Sequence, residues 1–487
     1  MASSPTNPVP SQGPQYNVVA LISGGKDSFF SLLHCLANGH NLVALANLHP
    51  PPSAPSEELD SYMYQTVGHR LVPLYEQALG VPLYRCVIRG GTGTGDRDYG
   101  TREDDETEDL IPLLKRVLAK HPEVNAICTG AILSTYQRTR IESIALRLRL
   151  TPLAFLWQYP SLPPYDQAGL LADMASVGQD SRIVKVASAG LSEHAFLWRN
   201  VADHTTIARM KNAMSRFAVN GDGCVLGEGG EYETLTLDGP RVLWKGRVVV
   251  EGTDGYVVDG GKEVEGRVVM KSEDEEAKKG FEGLRIPSLW DDEFKRVLQS
   301  DALLDSSSSS SSSSDDNEEL PSTEQPPLPT SKTFASLPPS TPSLSPSGTI
   351  FTYPNITAPP TSSSPTTPES QLTTIFALLS SALATHALPK SQITHCTLLL
   401  RHMSTFTSIN ATYASFFSFT NPPSRATVAI GSLMPEGVDV MLSVIAHRLP
   451  SSSSSSSVQR EGLHVQSQSY WAPANIGPYS QAISVPL

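Results

Sequence analysis

Residues 16–36 read YNVVALISGGKDSFFSLLHCL. An apolar run, NVVALI (17–22), meets a glycine turn, SGGKDS (Ser23–Ser28), which leads into a helically spaced stretch, SFFSLLHCLANG (28–39). This order predicts strand, loop and helix. The loop departs from the common nucleotide-binding pattern G-x-x-x-x-G-K-[ST]. It is shorter, and an aspartate follows the lysine. Its parts still suit phosphate. Gly24 and Gly25 let the backbone turn sharply and approach phosphate oxygens. The helix start offers unpaired N–H groups and the positive end of its dipole. Ser23, Lys26 and Ser28 add side-chain donors. Asp27 would repel phosphate directly, so it is expected to hold Mg²⁺ that the phosphates also bind. The competing reading is a plain glycine turn with a solvated Lys–Asp pair. The full hexapeptide between strand and helix outweighs it.

The pattern continues outward from this unit. Apolar runs recur at NLVALANL (41–48), PLYRCVI (82–88), VNAICTGA (124–131), PLAFLW (152–157), RIVKVAS (182–188) and GCVLGE (223–228). Helical patterns lie between them. In TEDLIPLLKRVLAKH (107–121), Leu110, Leu113, Leu114, Val117 and Leu118 share one face. Strands apolar throughout, each followed by a helix, predict an α/β domain with a doubly wound parallel sheet. Such a sheet binds ligands beyond the carboxyl ends of its strands.

The expected organisation is a polar tail (1–15), this α/β domain (16–255), a charged, Ser/Pro-rich linker (256–347), a second domain (348–450) and a Ser-rich linker with a short tail (451–487). Ser306–Ser314 and Ser451–Ser457 are unbroken serine runs. They are predicted to be disordered, because such composition buries too little apolar surface to offset ordering entropy.

Bulk properties narrow the function classes. The 487 residues are 39% hydrophobic and carry a net charge of −13. That balance argues against a surface built to coat nucleic acid, and suits a cationic substrate or partner. The five cysteines are scattered without a C-x-x-C pair, which disfavours a disulfide framework or zinc site. No run approaches about 18 consecutive apolar residues, so no membrane span is expected. The N-terminus lacks a signal-peptide pattern, and a cytoplasmic location is expected.

Gly130, Ala131 and Ile132 follow an apolar run, so their backbone is expected beside a nucleotide. Tyr136, Gln137, Arg138 and Arg140 open the next helix, where an arginine would pair with phosphate or carboxylate. A solvated or ion-paired helix face is an equal reading for Arg140 and Arg147.

SGGKDS resembles the pyrophosphate loop of the N-type ATP pyrophosphatases, which cleave ATP to AMP and pyrophosphate. MYQTVGHRLVPLYEQALGVPLYRCVIRG (63–90), TGAILSTYQRTRIESIALRLRLTPLAFLWQ (129–158) and GEGGEYETLTLDGP (227–240) extend the likeness. Together these four motifs resemble the eukaryotic diphthine–ammonia ligases over residues 16–255. The resemblance implies a HUP-like fold and a defined reaction. ATP adenylates the carboxylate of diphthine, a modified histidine on elongation factor 2. Ammonia then displaces AMP to give diphthamide. It implies ATP and Mg²⁺ as cofactors, with Lys26 and Asp27 at the catalytic centre. Free ammonium is the expected nitrogen donor, since no glutaminase-type cysteine arrangement is present. Glu228, Gly229, Gly230, Glu231, Tyr232 and Glu233 are expected to hold the cationic diphthine group by charge and cation–π attraction. Glutamates that merely cap a tight turn are the competing reading. In the acidic run 96–110, only Glu108 and Asp109 are given functional weight.

Residues 348–449 resemble the RidA (YjgF/UK114) family of small α+β domains, through SINATYASFF (408–417) and PPSRATVAIGSLMPEGVDVMLSVIA (422–446). By position, Arg425 would hold a carboxylate, with Asn410 beside it. The family's enamine hydrolases place a glutamate where this chain has Ser443, or Met441 in a shifted register. A binding or assembly role is therefore expected, and a homo-oligomer through this region is one expectation. WAPANIGPYSQAISVPL (471–487) resembles the first strand of another such domain. Two other readings stay open at this point. One is a synthetase of the same loop class acting on a small acid. The other is a RidA-like oligomerisation module with a nucleotide-sensing first domain.

Overall fold

The structure is a computed structural model. It describes residues 14–52, 61, 63–91, 93, 99–102, 104–166, 168–187, 190–214, 224–250, 266–272, 280–296, 340–360, 367–449, 460–475 and 477–485. Both serine runs and most of the predicted linker lie outside them. The chain divides into two compact units: residues 1–309 with 467–473, and residues 310–466 with 474–487.

The first unit opens with β1 (Asn17–Leu21), α1 (Lys26–Ala37), β2 (Asn41–His49), α2 (Leu74–Leu79), β3 (Leu83–Val87), α3 (Leu110–Lys120), β4 (Ala126–Cys128), α4 (Thr135–Arg147) and β5 (Thr151–Leu153). The five strands form one parallel sheet in the order β3-β2-β1-β4-β5. Alternate residues feed opposite faces. Val18, Ala20, Leu45 and Cys128 pack on one side with Phe29 and Leu32 of α1. Val19, Ala44, Ala46 and Ile127 pack on the other with Leu113, Leu114 and Val117 of α3. The chain leaves β1 for β2 on one side and returns to place β4 on the other. The carboxyl ends of β1 and β4 therefore flank a topological switch point. SGGKDS follows β1, and Thr129–Ala131 follow β4.

After this sheet come α5 (Gly169–Ser176), β6 (Asp180–Val186), α6 (Glu193–Phe196), α7 (His204–Met214), β7 (Tyr232–Asp238), β8 (Gly246–Val250) and β9 (Gly266–Met270). Three expectations change here. RIVKVAS does not join the parallel sheet; β6 pairs antiparallel with β7. Charged Arg182 and Lys185 flank Ile183 and Val184, which suits a ribbon with one wet face better than a strand covered on both sides. GCVLGE forms no strand: residues Cys224–Leu226 are a 3₁₀ turn, and the strand is YETLTLD. The first unit also runs past residue 255. β9 pairs with β8, and residues 280–296 are tied back by Arg285, which donates to Asp173 Oδ2 at 2.9 and 2.6 Å.

The second unit contains β10 (Ser343–Leu344), β11 (Ile350–Ile356), α8 (Pro368–Thr385), β12 (Ile393–Leu400), α9 (Phe406–Phe416), β13 (Ser424–Ala429) and β14 (Val440–His447). Its sheet order is β10-β11-β14-β12-β13, parallel only between β12 and β13. α8 and α9 cover one face through Leu372, Ile375, Leu379, Ile409 and Tyr413. Strands β15 (Glu461–Leu463) and β16 (Ala482–Ser484) pair antiparallel near the C-terminus. The tail is thus not confined to a lone strand.

Candidate active site

A cleft of about 730 Å³ opens at the switch point of the first sheet. Its floor is the SGGKDS loop. Gly24 adopts φ +99°, a left-handed conformation that side chains resist. Its carbonyl accepts from Thr236 N at 2.8 Å. Lys26 N, the first donor of α1, bonds Thr234 Oγ1 at 3.0 Å. Gln179 Nε2 donates to Lys26 O at 3.0 Å. The hydroxyls of the loop serve its own shape: Ser23 Oγ accepts from Gly25 N, and Ser28 Oγ donates to Gly25 O. β7, which carries the YET of GEGGEYET, therefore braces the phosphate loop directly.

Gly130 closes the loop from the β4 side. A Cβ there would lie 2.8 Å from Asp27 C and Ser28 N, so only glycine fits this approach. Thr129, Gly130 and Ala131 line the cleft. Ile132 does not; its side chain is buried in the core beneath.

Lys26 Nζ lies 2.7 Å from Asp27 Oδ2 and 5.5 Å from the Tyr232 ring centroid. Lys26 is buried, while a quarter of the Asp27 side chain reaches the cleft. Asp27 Oδ1 has no hydrogen-bond partner. Burial holds the Asp27 carboxyl above its ordinary range despite the adjacent ammonium. A carboxylate oxygen left this way fits a bound cation such as Mg²⁺. No cluster of three or more His, Cys, Asp or Glu side chains suited to a metal occurs among the described residues.

GEGGEYET divides into two roles. Glu228, Tyr232 and Glu233 line the cleft with Gly229 and Gly230. Glu228 Oε2 accepts from Leu133 N at 2.9 Å. Burial, and then the charge of Asp27, raises Glu228 to about 7. Glu231 instead turns back and accepts from Gly229 N at 2.9 Å, which is the turn-capping arrangement. The α4 residues divide as well. Ser134, Tyr136 and Gln137 line the cleft, whereas Arg138 and Arg140 are buried off its wall. Arg138 Nη1 bonds Glu142 Oε2 at 2.7 Å. The Arg140 guanidinium stacks 3.3 Å from the Tyr136 ring centroid and 4.8 Å from that of Tyr99.

In the second unit, Arg425 Nη1 donates to Asn410 Oδ1 at 2.9 Å. The rings of Tyr413, Tyr479 and Phe406 surround its guanidinium at 4.5, 4.7 and 5.2 Å. Ser443 accepts from Asn355 N at 2.9 Å.

Residues 16–152 match the family model described as diphthamide synthase N-terminal domain. Residues 352–448 match the one described as endoribonuclease L-PSP. The chain is 37% identical over 476 residues to the diphthine–ammonia ligase of Schizosaccharomyces pombe, covering 96% of this chain and 70% of that protein.

The chain belongs to the diphthine–ammonia ligase family.

It is also 33% identical over 493 residues to the diphthine–ammonia ligase of Saccharomyces cerevisiae, covering 95% of this chain and 66% of that protein. It thus spans 70% and 66% of the lengths of these two ligases. Among solved structures, the YjgF gene product of E. coli is 23% identical, with a TM-score of 0.19, over 21% of this chain and 83% of that one.

Sequence reasoning missed several cleft residues of this ligase-family chain. Ser61, Met63, Tyr64 and Gln65 form the wall after β2. Gln65 Nε2 reaches Thr234 O at 2.7 Å. Asn47 lines the cleft too; its Nδ2 donates to Ile22 O at 2.9 Å. A lone asparagine near the carboxyl end of an apolar strand was the available signal. Glu106 lies outside the cleft lining; it is buried, and burial raises it to about 7. Glu108 and Asp109, given weight from sequence, hold structure instead. Glu108 binds Arg147 at 2.7 and 2.8 Å, and Asp109 Oδ2 accepts from Arg89 N and Gly90 N.

Proposed function

We propose that this chain amidates the diphthine carboxylate of elongation factor 2 with ammonium, using ATP and releasing AMP and pyrophosphate. The observation that carries the reading is the meeting of GEGGEYET and SGGKDS around one cleft, where β7 braces the phosphate loop. Membership of the ligase family sets the reaction class.

The residues divide the work as follows. The glycine loop and the start of α1 would hold the pyrophosphate portion of ATP. Among the described lining residues Lys26 is the one lysine or arginine, so it would stabilise charge on the leaving pyrophosphate. A bound Mg²⁺, shared with Asp27, supplies further charge neutralisation there. Diphthine oxygen attacks the α-phosphorus; a P–O bond forms, and the bond to pyrophosphate breaks. Ammonia then attacks the carbonyl carbon; a C–N bond forms, the C–O bond to AMP breaks, and nitrogen loses a proton. Glu228, Glu233 and Tyr232 present an acidic, aromatic wall suited to the cationic diphthine head group. Arg138 and Arg140, taken from sequence as substrate ligands, support α4 instead.

A protein substrate of this kind places the reaction in the cytoplasm. No helix among the described residues is long and apolar enough to cross a membrane. The second unit is assigned to binding or homo-oligomer formation, because Ser443 stands where a hydrolase would need an acid. The test is AMP formation with purified diphthine-bearing elongation factor. Stimulation that requires both the factor and ammonium supports the reading; AMP formation with a small acid alone overturns it.

A further inference from the structure

The segment Ser467–Pro473 belongs to the first unit, although its neighbours Gln466 and Ala474 belong to the second. It is held by backbone and side-chain bonds together. Gln468 N donates to Pro152 O, and Ala154 N donates to Gln468 O, both at 2.9 Å. Gln468 thereby forms a parallel bridge to Leu153 and extends the sheet beyond β5. This single-residue bridge covers the β5 edge from within the chain.

Two buried polar anchors flank that bridge. Ser467 N and Oγ both donate to Glu142 Oε1, at 2.8 and 2.7 Å. Glu142 is 2% exposed and Ser467 1%. A carboxylate so deeply buried depends on its donors, and removing them is costly. On the other side, Tyr470 Oη accepts from Asn38 Nδ2 at 2.6 Å and lies 2.9 Å from His34 Nδ1. Burial keeps His34 neutral, with its pKa lowered to about 3. The direction of the His34–Tyr470 bond follows the tautomer of the neutral ring.

The anchored elements are those that build the cleft. Glu142 lies on α4, whose first turn supplies Tyr136 and Gln137 to the wall. His34 lies on α1, whose first residues are Lys26 and Asp27. β5 receives Thr129 N on Leu153 O at 3.1 Å, just before Gly130. One seven-residue segment thus touches all three elements: α1 and α4 beyond their cleft-lining first turns, and β5 at its carboxyl end.

We propose that Ser467 and Tyr470 are positioning residues for the ATP cleft, clamping α4 and α1 so that the cleft-lining ends of both helices keep their geometry. This rests on the ligase reading for its kinetic arm only. Sub-ångström placement of groups that bind a reacting nucleotide has large effects on rate, so a clamp of this kind would show in turnover as well as stability.

The test uses the full chain with Ser467→Ala, Tyr470→Phe, the double variant and the conservative Ser467→Thr. Three quantities are read: hydrogen exchange over Thr135–Arg147 and Lys26–Ala37, ATP affinity, and kcat per folded molecule. The double variant is expected to exchange about tenfold faster in both helices. Its kcat is expected to fall about fivefold or more, with ATP affinity weakened. Ser467→Thr is expected to restore most of both. Exchange and ATP affinity within about twofold of the parent overturn the proposal. So does a lower melting temperature with unchanged kcat per folded molecule. If the parent binds ATP but forms no diphthamide, the ligase reading fails; exchange and ATP affinity then decide the clamp.

Discussion

Lys26 Nζ sits 2.7 Å from Asp27 Oδ2 at the floor of the cleft. Adjacent residues of opposite charge share the point where a nucleotide's phosphates would lie. Lys26→Met is expected to lower AMP formation by about 100-fold or more, in line with loss of a preorganised charge at a developing anion. Circular dichroism would confirm that the fold persists. Asp27→Asn is expected to cause a comparable loss and to raise the Mg²⁺ concentration for half-maximal rate. An unchanged Mg²⁺ dependence would remove Asp27 from metal binding.

The two glutamates flanking Gly229 and Gly230 should behave differently. Glu228 lines the cleft, whereas Glu231 caps Gly229 N. Glu228→Gln is expected to raise KM for the modified elongation factor about tenfold, with KM for ATP nearly unchanged. Glu231→Ala is expected to cost about 0.5–1.5 kcal/mol of stability through its lost backbone bond, with little kinetic change. Steady-state kinetics and thermal melts on both variants separate these roles.

Gly130 is a packing constraint with a kinetic consequence. A methyl group there meets Asp27 C and Ser28 N at 2.8 Å. Gly130→Ala must displace backbone rather than a flexible side chain, at a cost of about 1–3 kcal/mol. Since the displaced backbone is the phosphate loop, ATP binding measured by calorimetry should weaken about tenfold or more. Wild-type affinity in a folded variant would show that this approach does not shape the loop.

Glu106 gives the protein a pH dependence of known sign. Burial raises its carboxyl from 4.5 to about 7. Between those values the folded state binds more protons than the unfolded state. Stability therefore falls as pH rises through this window and levels off above it. Glu106→Gln removes the effect. At pH 8 the variant should be more stable by about 1–2 kcal/mol, and at pH 4 it should match the parent. Denaturant melts at the two pH values check this; a variant less stable at pH 8 would contradict it.

Much of the ligase sheet was legible because its strands are apolar on both faces. β1 to β5 each begin within two residues of a predicted run. β6 misled because RIVKVAS is apolar enough to read as a central strand, yet its two charges place it in an antiparallel ribbon. The phosphate loop was legible because its glycines and lysine act locally. The wall of Ser61, Met63, Tyr64 and Gln65 was not, because those residues acquire a role only by meeting the cleft and β7 in space. Arg138 and Arg140 show the reverse failure. Arginines at a helix start suggest anions, but only packing reveals that Glu142 and two tyrosines already engage them. The C-terminal segment carried no period at all. Its place on β5 depends on backbone groups at the sheet edge, and sequence does not report those.

The central claim is tested most directly by single-turnover reaction of the full chain with ATP, diphthine-bearing elongation factor and isotope-labelled ammonium. The account predicts one AMP and one pyrophosphate per labelled amide on the modified histidine, and no AMP when the factor carries an unmodified histidine. AMP release independent of the factor, or amide formation without AMP, would contradict it.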